Sequence, residues 1–177
     1  LKKQIKVGID SPVAAGAGTI SKLLAFHYNL IYCDTGKIYR YLAKMLIDHK
    51  PKNEFLYLKK IRKKIDLKKL KSKSLLNDEV ALVASQIAKK LRVRKLVIKF
   101  QKNLAYNPPK KFNGAILDGR DINSKIIKDA DFKFFITANP YVRAKRRYKE
   151  YKNMGKSVKF AEVLRSMKKR DKEDRTR

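Results

Sequence analysis

Apolar positions along this chain fall either into short unbroken runs or into stripes with helical spacing. Ile5-Lys6-Val7-Gly8-Ile9-Asp10 is the first run; it stops at Ser11-Pro12 and predicts a buried strand entering a turn. From Thr19 to Tyr28 the apolar residues Ile20, Leu23, Leu24 and Tyr28 share a helical stripe, and Leu30-Ile31-Tyr32-Cys33 follows as a second strand. Strand, tight loop, helix and strand in this order form a βαβ unit, hence a parallel sheet. A helix over 37–49 comes next (Ile38, Leu42, Met45, Leu46). Residues 50–78 are lysine-rich without a long period and read as an insert of short elements. Helical stripes return at 80–91 and 93–106, Asn107-Pro108-Pro109 breaks the chain, and 114–117 and 132–136 read as strands. Asn139-Pro140 opens a helix with Asn as N-cap and Pro at the first helical position, and Gly155 joints the basic helices 141–153 and 158–172. The alternation specifies an α/β fold.

Composition narrows the class. The chain has 177 residues, enough for one domain with a proper core, and 44% hydrophobic residues exclude a disordered polar chain. A single cysteine excludes a disulfide framework, and with only His27 and His49 beside it a Cys/His zinc site is excluded too. Cys33 reads as a buried strand-end residue and His27 as a helix-surface one. No apolar run approaches the roughly 18–20 residues that span a bilayer, so a cytoplasmic protein is the expectation. Lys and Arg number 46 against 16 Asp and Glu, a formal charge of +30. Such a field attracts polyanions and small anionic substrates alike. The lysines are spread along the chain and the aromatics fall mostly within apolar stripes, whereas an RNA-binding module needs a concentrated basic face with exposed rings.

The chemistry concentrates after the strands. Asp10-Ser11-Pro12-Val13-Ala14-Ala15-Gly16-Ala17-Gly18-Thr19 stands where a phosphate-binding loop would stand, its small residues letting successive backbone amides face one anion. Against G-x-x-x-x-G-K-[ST] it departs at the first Gly (Ser11), the Lys (Ala17) and the next hydroxyl residue (Gly18), with a hydroxyl one step later at Thr19. Taken alone, the loop is equally an ordinary tight βα turn.

Further along come Asp34-Thr35-Gly36-Lys37-Ile38-Tyr39-Arg40, Ala84-Ser85-Gln86-Ile87-Ala88, Arg92-Val93-Arg94 and Leu117-Asp118-Gly119-Arg120-Asp121-Ile122. Phe135-Ile136-Thr137-Ala138, Val142-Arg143-Ala144-Lys145-Arg146-Arg147 and Arg170-Asp171-Lys172-Glu173-Asp174-Arg175-Thr176-Arg177 complete the series. In that order the segments resemble bacterial cytidylate kinases, of the nucleoside monophosphate kinase group of P-loop proteins.

The resemblance implies a three-layer P-loop kinase fold with a parallel central sheet. Its core would be about 1–36 and 93–142, with a monophosphate-binding insert at about 37–92 and a helical lid at about 143–172. It implies transfer of the ATP γ-phosphoryl group to CMP or dCMP with Mg²⁺. Ser11 to Thr19 would surround the ATP phosphates with Thr19 near the metal, and Arg143 and Arg147, with Arg146, would begin the lid over ATP. Thr35 and Arg40 would meet the monophosphate, while Ser85, Arg94 and Asp121 would line the cytosine pocket. Arg120, Arg170 and Arg177 would be the catalytic phosphate clamps, and Asp174 would take the ribose, held between Arg170 and Arg177 on one helix. A carboxylate and a guanidinium are apt partners for cytosine, which presents an amino donor beside ring acceptors. A monomer acting on small molecules, with no membrane or specific nucleic-acid partner, is the matching expectation.

Two departures qualify the match. Ala17 replaces the lysine that bridges the β- and γ-phosphates, and a charged hydrogen bond is worth roughly 1.5–3 kcal/mol. Either a nearby base such as Lys22 or a lid arginine supplies the charge, or the chain is a weakened nucleotide-binding relative; the intact pocket chemistry favours a working kinase. Family members also continue past the last arginine motif through another strand and helix, so a C-terminally shortened chain is expected.

Overall fold

The computed structural model describes residues 4–175. Strands β1 (Ile5–Asp10), β2 (Leu30–Asp34), β3 (Gly114–Gly119) and β4 (Phe132–Phe135) form one parallel sheet in the order β2-β3-β1-β4. Between them run α1 (Ala17–His27), α2 (Thr35–His49), α3 (Glu54–Ile61), α4 (Asp78–Lys89) and α5 (Leu91–Tyr106), and after them α6 (Pro140–Asn153) and α7 (Phe160–Arg175).

Period-two alternation along the strands sorts the core into two faces. Val7 and Ile9 of β1 and Ile116 of β3 pack with Ala17 and Ala25 of α1. Ala115 and Leu117, with Ile31 and Cys33 of β2, pack on the other side against α2, α4 and α5. The result is α1, sheet and helical layer: the three-layer α/β architecture expected. Cys33 is buried at 1% exposure and His27 lies exposed, both as expected. A third cluster joins α6 to α7 through Ala144, Val163 and Met167, and Val13 and Ala14 of the loop after β1 pack against it. That contact sets the helical pair beside the loop.

Helix boundaries follow their caps. Asp34 accepts from the Lys37 amide at 3.3 Å, so α2 starts at Thr35, two residues earlier than the apolar stripe suggests. Asn53 caps α3 by accepting from the Leu56 amide at 3.0 Å, and a regular helix forms within the lysine-rich insert with Leu58 as its buried anchor. Asn77 caps α4 at Asp78, and Asn139 caps α6 ahead of Pro140. β4 lies at the sheet edge with Phe132, Phe134 and Phe135 exposed.

Candidate active site

All four strands run parallel, so the segments following them gather along one sheet edge, where α/β proteins bind ligands. The loop after β1 is tied to the end of β3, with the Ser11 amide donating to Gly119 O at 2.9 Å. It then curls through Ala14 (φ 60°) and Gly16 (φ 103°), and α1 begins without a side-chain cap. Positive φ at Gly16 is a conformation an L side chain resists, so the glycine serves the turn itself. Helix α1 thus turns an uncapped N-terminus toward the loop, the arrangement that receives an anion.

Two arginines of α6 reach this loop. Arg143 is 3% exposed: Nε donates to Ala138 O at 2.8 Å, Nη1 to Val13 O at 3.3 Å, and both terminal nitrogens bind the Asp171 carboxylate at 3.1 and 2.5 Å. Its guanidinium is committed to the protein, so its expected place over ATP becomes a clamp joining loop, α6 and α7. Arg146, one turn on, donates through Nη1 to Ala14 O at 3.3 Å and Ala15 O at 3.1 Å. Arg147 pairs with Glu150 at 2.7 Å and stacks over Tyr151.

Beside the loop, Arg40, Arg120, Arg147 and Arg170 form a cationic group. Arg120 pairs with Asp174, which joins the end of β3 to α7, and Arg40 Nη1 donates to Leu75 O at 2.8 Å. Burial of the Arg170 guanidinium, then the charge of Arg120 and, with Asp174 opposing, those of Arg40 and Arg147, lower its pKa to about 10, although the residue's outer surface meets solvent. Burial and the charge of Arg147 likewise lower Arg40. Repulsion of this kind is relieved by a bound anion. A cavity lined by Ser11, Pro12, Arg120, Arg143, Asp171 and Asp174 opens between the loop and α7. Asp174, expected between two arginines of its own helix, pairs across to Arg120 while its charge also acts on Arg170; Arg177 lies outside the described residues.

Of the expected cytosine-pocket residues, Arg94 and Asp121 form an ion pair between α5 and the segment after β3. Ser85 sits on α4 with its hydroxyl turned back to Leu82 O at 2.8 Å. Thr35 is buried, its hydroxyl donating to Asp118 O at 2.7 Å, so the hydroxyl is used to fasten α2 to β3. Gly119 permits that fastening, since a Cβ there would stand 2.5 Å from Thr35 Oγ1 and 2.8 Å from Ile122 Cδ1.

Two carboxylates at strand ends carry roles the sequence did not assign. Asp10 is buried and accepts from the Ile122 and Asn123 amides at 2.6 and 3.0 Å, holding the segment that bears Asp121. Burial nonetheless leaves its pKa raised. Asp118 accepts from the Tyr32 hydroxyl at 2.6 Å, and its Oδ2 would lie 3.7 Å from a Cβ on Gly18 at the start of α1. Burial, then the Asp34 charge, push its carboxyl up to about 6. The signal available was position: each of these aspartates ends an apolar run.

A parallel sheet with an anion-receiving loop after its first strand and an arginine cluster beside it defines a P-loop phosphotransferase of the nucleoside monophosphate kinase type. The profile of the family described as "Cytidylate kinase" matches residues 7–177. The chain is 38% identical to a cytidylate kinase of Bartonella tribocorum (strain CIP 105476 / IBS 506) over 180 residues, covering 99% of this chain and 80% of that protein. It is 37% identical to one of Rhodopseudomonas palustris (strain ATCC BAA-98 / CGA009), covering 97% and 79%. The crystal structure of an uncharacterized protein from Eubacterium ventriosum ATCC 27560 is similar in fold, with a TM-score of 0.50 at 18% identity over 97% of this chain and 73% of that one. The chain belongs to the cytidylate kinase family and is an ATP-dependent kinase.

Proposed function

We propose that this chain transfers the ATP γ-phosphoryl group to CMP or dCMP, with ATP phosphates at the Ser11–Thr19 loop and the monophosphate among the arginines beside it. The convergence of Arg40, Arg120, Arg147 and Arg170 carries this reading. Phosphoryl transfer asks for positioning and positive charge with little covalent work. An oxygen of the monophosphate bonds to the γ-phosphorus as the bond to the β–γ bridging oxygen breaks, and the arginines offset the anionic charge of both nucleotides. The Arg94–Asp121 pair supplies the donor and acceptor for a cytosine edge, and Asp174 lies close enough to Arg120 to be oriented toward a ribose.

The residues also suit Mg²⁺. Burial, then the Asp34 charge, raise the Asp118 pKa, and an Asp118 oxygen abuts the start of α1, so a hard carboxylate oxygen lies beside the loop with the exposed Thr19 hydroxyl on the same helix turn. When bound with ATP, the metal neutralises phosphate charge. The insert at about 37–92 then serves the monophosphate, and α6 with α7 form the lid, whose closure excludes water. No helix among the described residues is long and apolar enough to cross a membrane.

CDP formation from CMP, ATP and Mg²⁺, with UMP and AMP as parallel acceptors, tests the reading. CMP-selective turnover is expected. Binding of CMP without turnover would favour the alternative of a weakened nucleotide-binding relative, and loss of CMP binding would remove the pocket assignment.

A further inference from the structure

We propose that Arg146 of α6 supplies, at the phosphate loop, the positive charge that Ala17 cannot. The inference rests on the reading that this loop holds ATP phosphates, and it concerns which side chain does so in place of the missing lysine.

At the loop position where a P-loop lysine reaches the β- and γ-phosphates, the chain has a methyl group that is 5% exposed and packed with Val7, Ile9 and Ala25. The following residues, Gly18, Thr19 and Ile20, are uncharged as well, so the first turn of α1 brings no cation to its own anion site.

The cation comes from another element. Arg146 Nη1 donates to the carbonyls of Ala14 and Ala15, and it would stand 3.6 Å from a Cβ on Gly16. One guanidinium therefore spans the three residues immediately before Ala17. Among the described residues its Nε and Nη2 donors have no protein acceptor, and the residue is solvent-exposed beside the loop. A guanidinium offers five N–H donors in a planar fork suited to phosphate oxygens, and its bonds to an ionised phosphate are stronger than those to neutral carbonyls.

Placement is enforced by the turn before it. Arg143 binds Val13 O, Ala138 O and Asp171, while Ala144, fully buried, packs with Val163 and Met167. The α6 backbone is thus pinned to the loop and to α7, and Arg146 projects from a fixed base. The two neighbouring arginines of α6 are differently employed: Arg143 is enclosed and Arg147 is bound to Glu150 and Tyr151. Arg146 is a catalytic residue in this scheme and Arg143 a positioning residue.

The test compares the parent chain with Arg146→Ala, Arg146→Lys and the double variant Ala17→Lys/Arg146→Ala, following CDP formation, MgATP binding by calorimetry and thermal unfolding. Arg146→Ala is expected to lower kcat/KM for ATP by about 10- to 150-fold, the range of one charged hydrogen bond, with the CMP KM and the unfolding midpoint unchanged. Arg146→Lys should be intermediate, because a point charge replaces the fork. Millimolar guanidinium, or the lysine restored at position 17, should recover activity in the Arg146→Ala background. Parent-like ATP kinetics in Arg146→Ala would overturn the proposal. So would a loss accompanied by a lower unfolding midpoint and untouched by guanidinium, which marks a structural role. A parent without turnover would refute the proposed function instead, and the inference would then be decided by MgATP affinity: weaker in Arg146→Ala supports it, equal affinity overturns it.

Discussion

Replacing Arg143 by Met tests whether α6 is pinned to the phosphate loop as the structure describes. The substitution keeps an apolar stem and removes a guanidinium that bonds Ala138 O, Val13 O and both oxygens of Asp171. Deleting one partner of a buried ion pair costs about 3–5 kcal/mol, chiefly because the other charge is left stranded. Asp171 retains 16% exposure and can recruit some water, which sets the expectation at the lower end, about 3 kcal/mol. For a chain of this length that loss corresponds to a fall of roughly 6–12 °C in the thermal midpoint. Urea unfolding followed by circular dichroism gives the free energy, and the cycle with Asp171→Leu isolates the pair. The double variant should recover part of the loss, since no unpaired charge remains. ATP KM should rise in Arg143→Met while CMP KM holds. A cost below about 1 kcal/mol, or strictly additive single effects, would show that the pair does not carry the load assigned to it.

Two further expectations concern the strand ends and the acceptor site. Asp118 has a pKa raised from 3.8 to about 6, so the folded chain holds a proton that the unfolded chain gives up; stability present at acid pH is lost as pH rises from about 4 to about 6 and is level beyond. Asp118→Asn should abolish that slope and be more stable than the parent at pH 7.5 by roughly 3 kcal/mol, read from denaturant unfolding at several pH values; an unchanged slope would place the perturbed carboxyl elsewhere. Arg94→Ala removes the partner of Asp121 and should raise CMP KM by about 10- to 150-fold with ATP KM unchanged, in initial-rate kinetics varying each substrate; equal effects on both substrates would deny it a place in the acceptor site.

Much of the architecture is legible in residue order because it depends on short-range periodicity. The β1–α1–β2 unit, α2, α4, α5 and the two later strands lie within a few residues of where alternation and helical stripes place them, and Asn139-Pro140 starts α6 as its chemistry dictates. Helix α3 escaped because its single buried residue, Leu58, makes no stripe among the lysines, and only the Asn53 cap marks it. The gathering of the Ser11–Thr19, Thr35–Arg40 and Arg120–Asp121 segments at one edge follows from strand order, since each comes after an apolar run of a parallel sheet, whereas Ser85, Arg94 and Arg170 lie on helices and reach it only through packing.

The employment of each charged side chain was decided by tertiary structure alone. Arg143, Arg146 and Arg147 are near neighbours in sequence, yet one is sealed against Asp171, one spans the phosphate loop and one is paired on its own helix. Thr35 and Asp174 likewise take partners on β3 or at its end, far along the chain. A guanidinium, hydroxyl or carboxylate binds whichever complementary group folding brings within about 3 Å. Sequence supplies the type of group and its place on an element; the distance to its partner is set by how helices pack on the sheet, and that distance separates a clamp from a ligand-binding charge.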